Sequence, residues 1–250
     1  MAWGKTSKPR PGSRWRRIGR RLVQAAVAFF GISLVMVVLY GFMPVFVTPL
    51  MILRLFEGEG ISKDWVSYDN ISPDVFRAVI AAEDNLYCQH YGFDVDAILG
   101  AFKKNQKGKR IYGGSTISQQ TAKNVFLWPG SNIVTRGLRK GFEAYFTPLQ
   151  ELFWGKRRIL EVYVNVIEWG HGVYGVEAAA QFHFKKSAAE LTKRESALLA
   201  AVLPNPRRWA AGKPTGYISR RANSILRRMD QLPAQADPTC PVGPIEDKDK

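Results

Sequence analysis

The stretch from Leu22 to Leu53 contains no charged residue, and it restricts what this 250-residue chain can fold into more than any other feature. A helix needs about 20 mainly apolar residues to cross a bilayer. The run exceeds that length, and its most apolar part, residues 22–47, predicts one transmembrane helix. The first 21 residues carry Lys5, Lys8, Arg10, Arg14, Arg16, Arg17, Arg20 and Arg21 and no acid. Flanking positive charge holds its side of a span in the cytoplasm, so everything after Arg54 is expected across the membrane. A cleaved signal peptide is the alternative. Its apolar core is typically about 7–15 residues and ends at a small-x-small site, and no such site follows promptly here.

The formal net charge of +15 invites an acidic partner, for which nucleic acid, anionic lipid and a phosphorylated substrate all qualify. Eight of those charges lie in the basic arm and are accounted for by topology. No zinc-finger spacing or RNA-binding aromatic motif accompanies them, so no nucleic-acid partner is expected. Cys88 and Cys240 would pair only in an oxidising compartment. The second lies in a proline-rich tail, and the expectation is two unpaired cysteines.

The chain then divides into a basic arm (1–21), the span (22–47), a juxtamembrane linker (48–65), a globular domain (66–232) and a tail (233–250). Apolar residues in the domain recur at helical spacing without internal repeats, so it should be mainly α. The tail, "PAQADPTCPVGPIEDKDK", has four prolines and no periodicity and reads as disordered.

Polar residues on helical faces carry the chemistry. Ser72-Pro73 predicts a helix start, with serine capping and proline at the first helical position, Phe76, Val79 and Ile80 on one stripe, Glu83 in its middle, and Asp84 at the edge near Arg77 as an ordinary anion. Lost hydration and the negative helix end both favour a neutral Glu83, which suits it to act as a general base. An isolated glutamate is also simply the last residue before a solvated loop. In "RIYGGSTISQQTAKNVFL", Thr116 and Gln119 fit a capping box. Thr116, Gln119, Gln120, Lys123 and Asn124 share one arc, suited to sugar hydroxyls and phosphate or to solvent. In "RGLRKGFEAYF", Arg139, Lys140 and Glu143 form either a surface ion-pair cluster or a diphosphate clamp, and Pro148 should end or kink that helix. "KRRILEVYVNVIEWGHGVYGVEAAAQFHF", with Ile159, Val162, Tyr163 and Val166 as a core stripe and Glu161, Asn165 and Glu168 on another face, and "ESALLAAVLPNP" read as mostly architectural.

In this order, the segments resemble the peptidoglycan glycosyltransferases that polymerise lipid II, in the monofunctional, membrane-anchored form. "EDNLYCQHYGFD" resembles the first family motif and "GGSTISQQTAKN" matches the second almost letter for letter. "RKGFE", the "KRRILEVYVNVIEWG" segment and "ESALLAAVLPNP" resemble the third to fifth. Tyr87 stands where phenylalanine is usual, and "FHFKKS" and Pro148 are mild departures.

The resemblance implies a mainly α, lysozyme-like domain behind a single N-terminal transmembrane helix. It implies a single-pass protein of the bacterial inner membrane, with a cytoplasmic N-terminus and a periplasmic catalytic domain. The implied reaction joins a glycan on undecaprenyl diphosphate to lipid II by a β-1,4 bond with inversion. Glu83 would be the base, with Asp84 and His90 organising its loop. Lys123, Arg139 and Lys140 would neutralise the diphosphate, and Glu143 would hold those cations or a divalent metal such as Mg²⁺. Ser115, Gln119, Gln120 and Asn124 would bind sugar and phosphate oxygens, with Arg110 assisting. No organic cofactor is implied, and transpeptidases of cell-wall synthesis are expected partners. A lytic transglycosylase or muramidase, and a non-enzymatic scaffold, are the competing readings.

Overall fold

The structure is a computed structural model that describes residues 12–107, 113–130, 132–232 and Cys240. Helix α1 (Gly12–Phe42) begins inside the basic arm and contains a 29-residue stretch, Arg14–Phe42, long and apolar enough to cross a membrane. It stops short of the predicted span's end because Pro44 lacks an N–H and disfavours helical backbone at the residue before it.

The expected linker is built rather than free. Thr48 caps α2 (Pro49–Phe56), accepting from Met51 N at 3.4 Å, and strand β1 (Ser62–Lys63) follows. Lys63 Nζ donates to the carbonyls of Val45 and Phe46, tying this strand to the chain just after α1.

The domain is mainly α, as expected. After β1 come α3 (Pro73–Glu83), α4 (Val95–Lys107), α5 (Ile117–Phe126) and α6 (Ile133–Val166). Strands β2 (Glu168–Gly170) and β3 (Val173–Tyr174) precede α7 (Val176–Phe184), α8 (Lys193–Val202) and α9 (Gly216–Asp230). A small sheet has the order β1-β3-β2, with β1 parallel and β2 antiparallel to β3. Helices α3, α8 and α9 pack together, α5 lies along α6, and α1 runs beside α6. The core between them is closed by Phe76, Ile80, Tyr163, Trp169 and Leu199. Trp154 Nε1 donates to Val37 O at 2.6 Å, so α6 also buries part of the apolar anchor.

Three local expectations change. Ser72 begins α3 without a side-chain cap, and its backbone N–H goes to Ala188 O at 3.0 Å. Pro148 lies inside α6, and the break falls instead at Gly155, whose φ of 68° and ψ of 168° suit glycine. Cys88 and Cys240 are joined in a disulfide across a sequence separation of 152, correcting the expectation of free thiols. Spacing cannot show such a pair, because the fold alone brings the Cα atoms to 5.9 Å. The other tail residues lie outside the described residues.

Gly92 closes the loop after α3. Its φ is +83°, a Cβ there would stand 2.5 Å from Thr147 Cγ2 on α6, and its carbonyl accepts from Thr116 Oγ1 at 2.6 Å. Both backbone strain and a clash with a fully buried side chain oppose any substitution. Gly92→Ala is therefore expected to destabilise the domain by roughly 2 kcal/mol or more, read from thermal or denaturant unfolding.

Candidate active site

Helix α3 delivers Glu83 as its last residue, and the chain leaves the helix at Asp84, with φ −161° and ψ 75°. The two adjacent acids consequently point to different partners. Asp84 is buried rather than at an exposed edge. Its Oδ1 and Oδ2 lie 3.0 and 3.2 Å from His90 Nε2, and Oδ2 accepts the Ile117 N–H at 2.9 Å. That N–H is one of the unpaired donors of the first turn of α5, where a negative charge is favoured. Asp84 thus ties the end of α3, the following loop and the start of α5 into one unit.

Glu83 is left facing a cleft of about 380 Å³, lined also by Asn85, Leu86, Asp94, Gly114, Ser115 and Thr116. Its side chain is 18% exposed, enough for a substrate hydroxyl to reach. Gln120 Nε2 donates to Glu83 Oε2 at 3.0 Å, and Tyr163 OH donates to Gln120 Oε1 at 3.0 Å. Arg221 Nη2 on α9 stands 3.9 Å from Glu83 Oε1 while its Nε donates to Ala201 O. Asp84 also lines this cleft, and Asp94, its third carboxylate, accepts from Ala97 N at 2.8 Å and caps α4. One carboxylate of this cleft, Glu83, therefore remains without a backbone partner among the described residues.

The predicted capping box forms: Gln119 Oε1 accepts from Thr116 N at 3.1 Å, which commits that oxygen to structure. Lys123 and Asn124 lie further along α5 and line a second cleft of about 320 Å³ with Arg139, Arg54, Leu50 and Trp128. Beside it, Glu143 is 1% exposed and accepts from Arg139 Nη1 at 2.5 Å, with Lys140 Nζ 2.6 Å from its other oxygen. Lys140 Nζ also reaches Ser115 Oγ at 3.0 Å, linking the two clefts. Three cations around one carboxylate leave positive charge in excess. Burial lowers the Lys123 ammonium below its ordinary value of 10.5, with Arg139 and Lys140 pushing the same way and Glu143 opposing. Arg139 Nε is buried without a hydrogen-bond partner among the described residues.

These residues suit an anion better than a metal. Both Glu143 oxygens are held by cations, and no cluster of three His, Cys, Asp or Glu occurs among the described residues. The donor set does not fit direct ligation of a divalent ion.

Trp128 packs edge-to-face on Phe142, with ring centroids 5.8 Å apart, and Phe142 belongs to an apolar groove with Phe29, Phe30, Leu138 and Tyr145 between α1 and α6. The cationic cleft thus borders an apolar one.

All the predicted site residues except Arg110 fall around these clefts; Arg110 lies outside the described residues. Sequence reasoning missed Arg54, Tyr163 and Arg221. Arg54 read only as the end of the uncharged run, and Tyr163 as core. Arg221 and Arg228 are seven apart on α9 and share a face, a spacing that could have drawn attention to them. Burial lowers the Arg228 guanidinium and Arg221 adds to this, while Glu83 opposes it.

A family model described as "Transglycosylase" matches residues 51–230. A biosynthetic peptidoglycan transglycosylase of Caulobacter vibrioides is 52% identical over 211 residues, covering 84% of this chain and 90% of the relative. One of Bdellovibrio bacteriovorus is 51% identical over 232 residues, covering 90% and 91%. One of Bacteroides thetaiotaomicron is 49% identical over 232 residues, with the same coverage.

The cationic cleft generates a pH dependence. A lysine whose pKa is lowered loses its charge at a lower pH than a free lysine, so anion binding should weaken as pH rises through the alkaline range below 10.5. Inorganic diphosphate titrated into the full chain by calorimetry is expected to show this weakening, and Lys123→Arg is expected to abolish it.

Proposed function

The chain belongs to the transglycosylase family, about half identical to biosynthetic peptidoglycan transglycosylases over most of its length, and on that premise we propose that it polymerises lipid II into glycan strands. In this reading the acceptor is lipid II and the donor is a glycan carried on undecaprenyl diphosphate. The acceptor 4-hydroxyl oxygen attacks the anomeric carbon of the donor as its proton passes to Glu83. The bond from that carbon to the diphosphate oxygen breaks, and the electron pair leaves on undecaprenyl diphosphate. Attack opposite the leaving group inverts the centre and makes a β-1,4 bond.

The observation that carries this reading is the pairing of one available carboxylate with a cation-rich cleft. A glycosidase places two carboxyl groups across the scissile bond, one of them as general acid. A diphosphate needs charge stabilisation instead of a proton, and Lys123, Arg139 and Lys140 are placed to supply it. Arg54 joins them from α2, and the orphaned Arg139 N–H is a donor in search of an acceptor. Ser115, Gln119 through its amide nitrogen, and Asn124 bind sugar and phosphate oxygens. Glu143 holds the cations in place.

A lipid-linked substrate also accounts for the anchor and the apolar groove beside the cationic cleft. We place the basic arm in the cytoplasm and the domain on the periplasmic face of the inner membrane. The Cys88–Cys240 disulfide supports that side, since such bonds persist in oxidising compartments. Transpeptidases that cross-link the product are the partners this reaction calls for.

The test is polymerisation of labelled lipid II by the full chain in detergent. Glu83→Gln is expected to lower turnover by about a thousandfold or more while the chain still binds lipid-linked donor. Shortening of preformed glycan, with no polymer made from lipid II, would refute the reading in favour of a lytic enzyme. Lys140→Ala should raise the donor KM about tenfold with the fold retained, because the Lys140 side chain is half exposed and Arg139 still pairs with the buried Glu143. Unaltered turnover at limiting donor would remove Lys140 from the clamp.

A further inference from the structure

We propose that Tyr163 is a positioning residue for the reaction: its hydroxyl locks the Gln120 amide in the orientation that presents an N–H to Glu83. The proposal rests on Glu83 acting as the base and adds a residue that the motif pattern reads as packing.

A glutamine amide has one accepting and one donating end, and the two ends are nearly the same shape. Which end faces Glu83 is therefore decided by the group at the other end. A carboxylate only accepts, so Gln120 must offer its nitrogen to Glu83 Oε2, as it does at 3.0 Å. Its oxygen is then turned towards α6, where Tyr163 OH donates at 3.0 Å. Tyr163 is 1% exposed, so the packed core holds its hydroxyl at that place. Burial, with the charges of Glu83 and Asp84 adding, raises the Tyr163 phenol well above its ordinary value of 10, which keeps its proton in place.

The chain of bonds runs one way, from hydroxyl to amide to carboxylate. A flipped amide would set oxygen against carboxylate and nitrogen against hydroxyl, losing its bond to Glu83. With Oε2 held by Gln120, Oε1 is left for the cleft and for Arg221 at 3.9 Å. Rigidity here matters because a base is effective only within hydrogen-bond reach of the proton it takes.

The position of Tyr163 explains why helical periodicity hides this role. It belongs to the stripe of Ile159, Val162 and Val166, and its ring is buried like theirs. Only the hydroxyl emerges beside α5.

The test is a double-mutant cycle read by polymerisation of lipid II across a pH range. Tyr163→Phe keeps the ring and is expected to lower kcat about tenfold with KM unchanged. Loss of the donated N–H disfavours the charged form of Glu83, so the acid limb of the pH–rate profile should move to higher pH. In a Gln120→Ala background, Tyr163→Phe should have no further effect on kcat or on the limb. Equal losses in both backgrounds, or an unmoved acid limb, would reduce Tyr163 to packing and overturn the proposal. A wild-type chain that makes no polymer would instead overturn the polymerase reading on which it rests.

Discussion

The Asp84 carboxylate is the contact on which the rest of the site depends. It is buried, and a buried anion is tolerated only where its lost hydration is replaced. The replacement comes from His90 and from the Ile117 N–H at the positive end of α5. Three segments distant in sequence are thereby held at one point: the end of α3, the loop closed by Gly92, and the first turn of α5. Glu83 precedes that point by one residue and Gln120 follows Ile117 by three. Fixing Asp84 consequently sets the distance between the Glu83 carboxylate and the Gln120 amide that donates to it.

The same loop is clamped from below. Tyr87 OH donates to Lys156 O at 2.9 Å, Lys156 Nζ donates to His90 O at 2.6 Å and pairs with Glu151 at 2.8 Å, and Ser118 closes the group through Glu151. Cys88, within this loop, is joined to Cys240. Charges that serve the scaffold are paired and buried on this side. Those left in excess gather at the other end of α5, around Lys123 and Arg139. The spatial separation of paired from surplus charge leaves the Glu83 carboxylate at one cleft and an excess of cations at the other.

Membrane attachment and chemistry meet at α6. Its middle packs on α1 through Tyr145, which lies 2.8 Å from Ser33 Oγ, and through Trp154. Its first turns carry Arg139, Lys140 and Glu143. A polar headgroup held by the cations would thus have apolar surface within reach of its tail, a geometry suited to a substrate that remains in the bilayer.

Much of this was legible locally. The span follows from a run without charge, the capping box of α5 from Thr116 and Gln119, and the Arg139–Glu143 pairing from a four-residue spacing, because each depends on neighbours within a few turns of helix. The order of five motifs identified the family on the same local information. Other features depend on contacts between distant segments, and no periodicity carries them. The disulfide joins residues 152 apart, and Arg221 and Arg54 come to the clefts from opposite ends of the domain. Local rules misplaced the break in α6, since helical packing tolerated Pro148 and positive φ fell to Gly155. The sequence by itself determined which residues could carry charge and where helices begin. Only the tertiary structure decided that Asp84 is buried and held by His90 and the Ile117 N–H, that Glu83 faces a cleft, and that Tyr163 reaches Glu83 through Gln120, because burial and hydrogen-bond partners exist only once the chain is folded.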